Sequence, residues 1–336
     1  MADFLAAAKT SLDLAQYDFN LGPETRELVG GTIQEAARRG VAVRIIYNVD
    51  HPDPMPVPPP AEPDVELITA LGVPEKAIAG VPDLMHHKYV VRDGTTVWTG
   101  SLNWTDDSWS RQENVVLTVE SPELARAFTM DFDELWETGS VERSGFVEPR
   151  PVEVGGIRVK PWFTPGFGEA LSSRIAKKIA PAKRIRICSP IITAAPVLAT
   201  LAQVISDGRA DVAGCVDATQ VDDVVHQWHE NGNVAWKLPL LQRIIDGPFS
   251  GKRSEPWELG SVHNFMHAKV VVADDVVFAG SFNLSHSGEK NAENVLEIRD
   301  AELAERLCAY VDEVRARYPA LNAGATPTRS SKAAST

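Results

Sequence analysis

The sequence predicts a duplicated α/β protein, in which each half is a largely parallel sheet covered by helices. Three observations predict it. Residues 12–47 run strand, helix, strand at the spacing of a βαβ unit. The block at residues 84–114, LMHHKYVVRDGTTVWTGSLNWTDDSWSRQEN, returns nearly intact at 265–294 as FMHAKVVVADDVVFAGSFNLSHSGEKNAEN. The helix signal after the first block, SPELARAFTMDFDELWETG, is echoed after the second by DAELAERLCAYVDEVRARY. A repeat this long is a duplicated domain and not a solenoid.

Taken in order, SLDLAQYDF reads as a strand and GPETRELVGGTIQEAARRG as a helix opened by Pro23 and stopped by Gly40. VAVRIIYN is a β-branched strand of the buried type. The proline-rich run at 51–64 can be neither regular helix nor central strand. SPELARAFTMDFDELWETG carries Ser121 as its cap and Pro122 in its first turn. In the second half RIRICSPII is a strand, APVLATLAQVISDG a helix closed by Gly208, and ADVAGCVD the next strand. The expected units are residues 1–145 and 146–322, followed by a disordered tail at 323–336. GIRVKPWFTPGFGE in the second half has no counterpart in the first. Either the first half lacks an edge strand or the sequence begins downstream of its natural start, in which case secretion stays open.

Composition narrows the setting. Hydrophobic residues at 44% and charged residues at 24% are those of a soluble globular protein. Three scattered cysteines without C-x-x-C spacing argue against a disulfide framework or a cysteine zinc site. No run is long enough to span a membrane, and MADFLAAAKT lacks the basic start of a signal peptide. The expectation is therefore a cytoplasmic protein with no integral membrane segment. A net charge of −13 repels phosphate backbones over most of the surface, so a phosphate site must be a local positive pocket.

As spacings, the first copy is His86-x-Lys88-x4-Asp93-x6-Gly100-Ser101-x-Asn103, and the second is His267-x-Lys269-x4-Asp274-x5-Gly280-Ser281-x-Asn283. Ten residues after each asparagine come Glu113-Asn114 and Glu293-Asn294. Residues two apart on a strand share a face, so each half presents an imidazole and an ammonium together. The returning strand brings a hydroxyl and a carboxamide alongside. Lysine, serine and asparagine suit the non-bridging oxygens of a phosphodiester, and histidine serves as nucleophile or proton donor. Two facing sets supply a nucleophile on one side of phosphorus and an acid on the other.

Both copies resemble the HKD motif of the phospholipase D superfamily, over nearly the whole chain from SLDLAQYDF to EVRARYP. The resemblance implies two α/β/α halves related by a pseudo-twofold axis, with one site at their interface. It implies a phosphodiesterase or phosphatidyl transferase that works through a phosphohistidine, needs no metal or other cofactor and holds both motifs in one monomer. His86 and His267 would be the nucleophile and acid, with His86 the nucleophile. Lys88, Lys269, Asn103 and Asn283 would hold the phosphate, with Ser101 and Ser281 beside them or behind. Glu113 and Glu293 would orient the imidazoles. Asp93 and Asp274 belong to the signature set but read as holders of a turn.

The expected substrate is a phospholipid headgroup ester. A nucleic acid is the alternative, because GSFNLSHSGEKNAEN and GSLNWTDDS resemble the nuclease branch at least as well. A non-catalytic phosphate-binding module is the third reading, and the intact histidines, lysines and glutamates of both halves speak against it. Of the remaining candidates, His87 faces away from His86, and His263 and His286 read as loop residues. His226 and His229 lack a carboxylate to complete a metal set. Trp98, Trp104 and Trp109 read as core filling, and Lys252 and Arg253 as a solvated loop.

Overall fold

A computed structural model describes residues 1–50, 62–256, 258 and 260–324. The proline-rich run therefore lies outside the described residues except for its end, and so does most of the expected tail. The first half contains strands β1 (Ser11–Gln16), β2 (Phe19–Asn20), β3 (Ala42–Val49), β4 (Glu75–Ala79), β5 (Lys88–Arg92), β6 (Thr96–Gly100), β7 (Trp104–Thr105) and β8 (Val116–Glu120). The second contains β9 (Val152–Val154), β10 (Ile157–Thr164), β11 (Arg184–Ser189), β12 (Asp211–Asp217), β13 (Phe249–Lys252), β14 (Val270–Ala273), β15 (Val276–Gly280) and β16 (Glu293–Arg299).

The first sheet is ordered β4-β3-β1-β5-β6-β8 and the second β13-β12-β11-β14-β15-β16-β10-β9. Both are mixed in the same way. β1, β3 and β4 run parallel, as do β11, β12 and β13, whereas β1/β5, β5/β6 and β6/β8 are antiparallel like β11/β14, β14/β15 and β15/β16. The predicted duplication is thus present over six strands of each sheet. The GIRVKPWFTPGFGE segment forms β10 and lies against β16. β8 has no such neighbour among the described residues.

The two echoing helices are built alike. In Pro122–Thr138 the Ser121 hydroxyl accepts a hydrogen bond from the Leu124 amide at 3.2 Å, and Gly139 ends the helix at φ 65°. Leu124, Phe128, Phe132 and Leu135 face inward at helical spacing. In Ala301–Arg317 the cap is Asp300, and Ala304, Leu307, Cys308, Val311 and Val314 are buried. The predicted helix at the start of the first half is interrupted. Arg26–Gly30 is a π-turn between Pro23–Thr25 and Gly31–Arg38. Gly30 and Gly31 are weak helix formers and let the backbone widen there.

Each half has its own apolar core, and a third cluster lies between the sheets. Tyr89, Phe128 and Phe132 of the first half meet Phe163, Val270 and Leu296 of the second. Phe128 and Phe163 pack edge to face with ring centroids 5.0 Å apart. Cys188, Cys215 and Cys308 are free and buried.

Candidate active site

The shared interior fixes where the two motifs meet. The chain enters β5 through Met85, His86 and His87, and enters β14 through Met266, His267 and Ala268. Each entrance bridges to the Glu-Asn segment of the opposite half. Met85 lies beside Ala292 and Met266 beside Glu113. The His86 amide donates to the Ala292 carbonyl at 2.9 Å, and the His267 amide to the Glu113 carbonyl at 3.1 Å. From β3 and β12, each one strand removed in the sheet, Asn48 accepts from the Met85 amide and Asp217 from the Met266 amide, at 2.9 and 3.0 Å. These paired bonds are the pseudo-twofold at atomic level.

The side chains cross between halves as well. His86 Nδ1 lies 2.8 Å from the Glu293 carboxylate, and both groups are buried. Lys88 Nζ donates to the His86 carbonyl and Lys269 Nζ to the His267 carbonyl, each at 2.7 Å. Tyr17 roofs the first set. Its ring centroid is 4.4 Å from that of His86 and 4.5 Å from Lys88 Nζ. His86 Nε2, Asn103 Oδ1 and both amide atoms of Asn283 are buried without hydrogen-bond partners among the described residues. Buried polar atoms are ordinarily satisfied, so these are candidates to receive a ligand; His86, His267, Lys88 and Lys269 are close enough to act on one another's charge.

One expectation fails here. Glu113 does not orient His267. The ring's Nδ1 faces the Asn114 carboxamide oxygen at 3.1 Å, and that oxygen also accepts from the Ser101 hydroxyl at 2.7 Å. The Glu113 carboxylate is held by Lys252 Nζ at 2.6 Å and by the Tyr318 hydroxyl. Lys252, read from sequence as solvated, is buried at the end of β13. Strand pairing put it there, and no local pattern announced it. Arg253 does stay exposed, paired with Asp222.

Dehydration governs the charges. Burial pushes His86 well below its usual range, helped by Lys88, Lys269, His267 and His87. His267 is lowered the same way, by burial, Lys269 and Lys88. Burial brings Lys88 down to about 7 despite the Glu293 and Asp18 carboxylates, and lowers Lys269 with Lys88 adding repulsion. It lifts Glu293 to about 8 and Asp18 to about 7. Asp18 was not singled out in the sequence. Its only signal is position, two residues past the end of β1.

Asp93 and Asp274, counted with the signature's catalytic set, do not join the imidazoles. Both are in turns at positive φ, 56° and 53°. Asp93 accepts from the Lys9, Thr10 and Ser11 amides, and Asp274 from those of Lys183 and Arg184. Ser281 accepts from the Asn294 amide at 3.0 Å, so both motif serines brace the Glu-Asn segments. His87 packs inward, 3.0 Å from Asp131 on one side and 3.1 Å from the Asn294 amide group on the other. Trp98 and Trp104 fill the core, whereas Trp109 donates to the Asn103 carbonyl at 3.1 Å and steadies a predicted phosphate ligand. His263 stacks on Phe265, His286 is an exposed partner of Glu289, and His226 is exposed beside Glu230.

A family signature described as cardiolipin synthase, PLD-like domain, matches residues 1–136 and 175–315. The chain belongs to the phospholipase D superfamily. Within that superfamily it is similar to the human mitochondrial cardiolipin hydrolase, 30% identical over 166 residues, which are 47% of this chain and 61% of that protein. It is also similar to the Xenopus laevis protein of the same name, 32% identical over 136 residues, 40% of this chain and 58% of that one. The chain thus spans about three fifths of those phospholipase D relatives. Among solved structures, phosphatidylserine synthase of Haemophilus influenzae Rd KW20 superposes with a TM-score of 0.64 at 14% identity, over 94% of this chain and 82% of that one. That likeness supports the two-halved phospholipase D fold. No helix among the described residues is long and apolar enough to cross a membrane.

Proposed function

We propose that this chain is a phosphodiesterase that opens a phospholipid headgroup ester through a phosphohistidine, passing the phosphatidyl group to water or another alcohol. The observation that carries the reading is the crossed site. Two histidines from opposite halves, each backed at Nδ1 by the other half, lie within electrostatic reach of one another and of two lysines, and each motif carries an asparagine with unpartnered buried amide atoms. With its proton on Nδ1, facing Glu293, His86 offers a lone pair at Nε2. That nitrogen attacks phosphorus, the P–O bond to the leaving alcohol breaks, and His267 gives its proton to the departing alkoxide. His267 then takes a proton from water, whose oxygen attacks phosphorus as the P–N bond breaks and His86 is released. Lys88, Lys269, Asn103 and Asn283 stabilise the charge gathering on the non-bridging oxygens.

The names of the cardiolipin hydrolase relatives favour a lipid, and the net charge of −13 argues against a polyanionic strand as it does against any extended anionic surface. The nuclease reading retains the likeness of the segments after Gly100 and Gly280 to that branch. The test is an assay on cardiolipin and phosphatidylcholine vesicles beside single-stranded DNA, with and without EDTA. EDTA-resistant release of a lipid headgroup is expected. Turnover of DNA alone would move the assignment to a nuclease, and no turnover of lipid, DNA or an aryl phosphodiester would leave a binding module.

A further inference from the structure

The two motif imidazoles are backed by different chemistry, and strand register shows why. β6 pairs with β8 so that Gly100 faces Val116, whereas β15 pairs with β16 so that Gly280 faces Val295. The Ser101 amide donates to the Val115 carbonyl and the Ser101 hydroxyl accepts from the Val115 amide. Ser281 makes the same two bonds with Asn294. Val115 is therefore the counterpart of Asn294, and Asn114 that of Glu293. The bridges agree, since Met266 lies beside Glu113 where Met85 lies beside Ala292. The first half carries one more residue between its motif asparagine and the ring-backing position than the second does. The Glu-Asn pairs that match in sequence are thus one residue out of phase in space. A slip of one residue in an extended segment presents the neighbouring side chain to the partner.

Asn114 is fixed in one orientation. Its Nδ2 donates to the Ser108 carbonyl at 3.0 Å, and its Oδ1 accepts from the Ser101 hydroxyl at 2.7 Å. The same oxygen faces His267 Nδ1 at 3.1 Å. An amide oxygen only accepts, so Nδ1 is the donor. His86 Nδ1 instead meets a Glu293 carboxylate oxygen at 2.8 Å, a group that can accept a hydrogen bond, take a proton or carry charge. The other neighbours are matched. Lys88 and Lys269 act on both rings, the two rings act on each other, and one further imidazole acts on each, His87 on His86 and His263 on His267. The Ser101 carbonyl favours the charged form of His267, and the adjacent Glu113 carboxylate is engaged by Lys252 and Tyr318. The titratable group that one ring has and the other lacks is the carboxyl at Nδ1.

We propose that Asn114 is a positioning residue that makes His267 the proton donor of the pair: its amide holds the ring with a hydrogen on Nδ1, leaves Nε2 to gain and lose the proton, and offers no counter-charge. This rests on the proposed reaction and divides its labour. As the P–N bond forms at His86 Nε2 and the P–O bond breaks, positive charge appears on that ring in front of Glu293. The leaving alkoxide takes the Nε2 proton of His267, which becomes a neutral ring still bonded to Asn114. An imidazolium with no carboxylate behind it is the stronger acid.

The test is histidine-selective 15N NMR, with His267 identified by its loss in His267→Ala. In the wild-type chain, above its titration, the neutral His267 ring should carry its hydrogen on Nδ1. In Asn114→Asp the ring should titrate about one pH unit higher, about a tenfold gain in proton affinity. One limb of the kcat/KM profile on an alkyl phosphodiester, which needs the acid, should move up by the same amount. A hydrogen on Nε2 in the wild-type chain overturns the proposal, and so does an unmoved titration in Asn114→Asp or an unmoved profile in an active Asn114→Asp. The wild-type measurement decides if Asn114→Asp does not fold. Both NMR readouts stand without turnover, so failure of the catalytic reading, seen as no activity on any phosphodiester, and failure of this one are distinguishable.

Discussion

A phosphate arriving between Lys88 and Lys269 would bring negative charge to groups that burial has stripped of theirs. Lys88 sits at about 7, His86 and His267 are held low, and Glu293 is raised to about 8. An anion raises the proton affinity of every one of them, bases and carboxyl alike, so the signs add. Binding of inorganic phosphate or tungstate should therefore take up protons at pH 8, and its affinity should weaken as pH climbs above about 7. Calorimetry in two buffers of different ionisation enthalpy reads the uptake directly. Proton release, or an affinity independent of pH between 6.5 and 9, would mean that these groups are charged before the ligand comes. This linkage could not be read from sequence, because Asp18, Tyr17 and Glu293 reach the lysines only through the fold.

At the scale of elements, the hairpins that carry the motifs are anchored at the end away from the chemistry. The Asp93 carboxylate gathers three backbone amides from Lys9 to Ser11 and ties the turn after β5 to the start of β1. Charge-assisted bonds of this kind contribute about 1–3 kcal/mol in sum when the group is partly exposed and screened by solvent. Asp93→Ala should lower stability in urea by that amount and leave kcat/KM per folded molecule within about threefold. A hundredfold loss with unchanged stability would return the residue to the catalytic set. The sequence made the turn legible through its R-D-G-T and A-D-D-V patterns, and the strands through their β-branched runs. It could not show that Arg26–Gly30 widens into a π-turn, since that depends on the packing around a glycine pair.

For the whole molecule, duplication supplied most of what could be read in advance. His86, Lys88, Asn103 and the Glu-Asn pair each gained meaning from a twin, and the twins meet across an interface buried by Tyr89, Phe128, Phe163 and Leu296. The departures from symmetry were illegible for the same reason. Lys252 has no twin, its partner Glu113 is 139 positions away, and the one-residue offset that sets Asn114 behind His267 where Glu293 stands behind His86 is hidden by the matching Glu-Asn pairs. The most direct measurement quenches the reaction with a labelled aryl phosphodiester in alkali, where a P–N bond survives, and maps the labelled peptide. Because an aryl alcohol leaves without an acid, His267→Ala should accumulate close to one phosphoryl adduct per chain on His86, and His86→Ala should form none. Label on His267 would exchange the two roles, whereas label on a residue other than these histidines, or full turnover in His86→Ala, would contradict a single site built from the two halves.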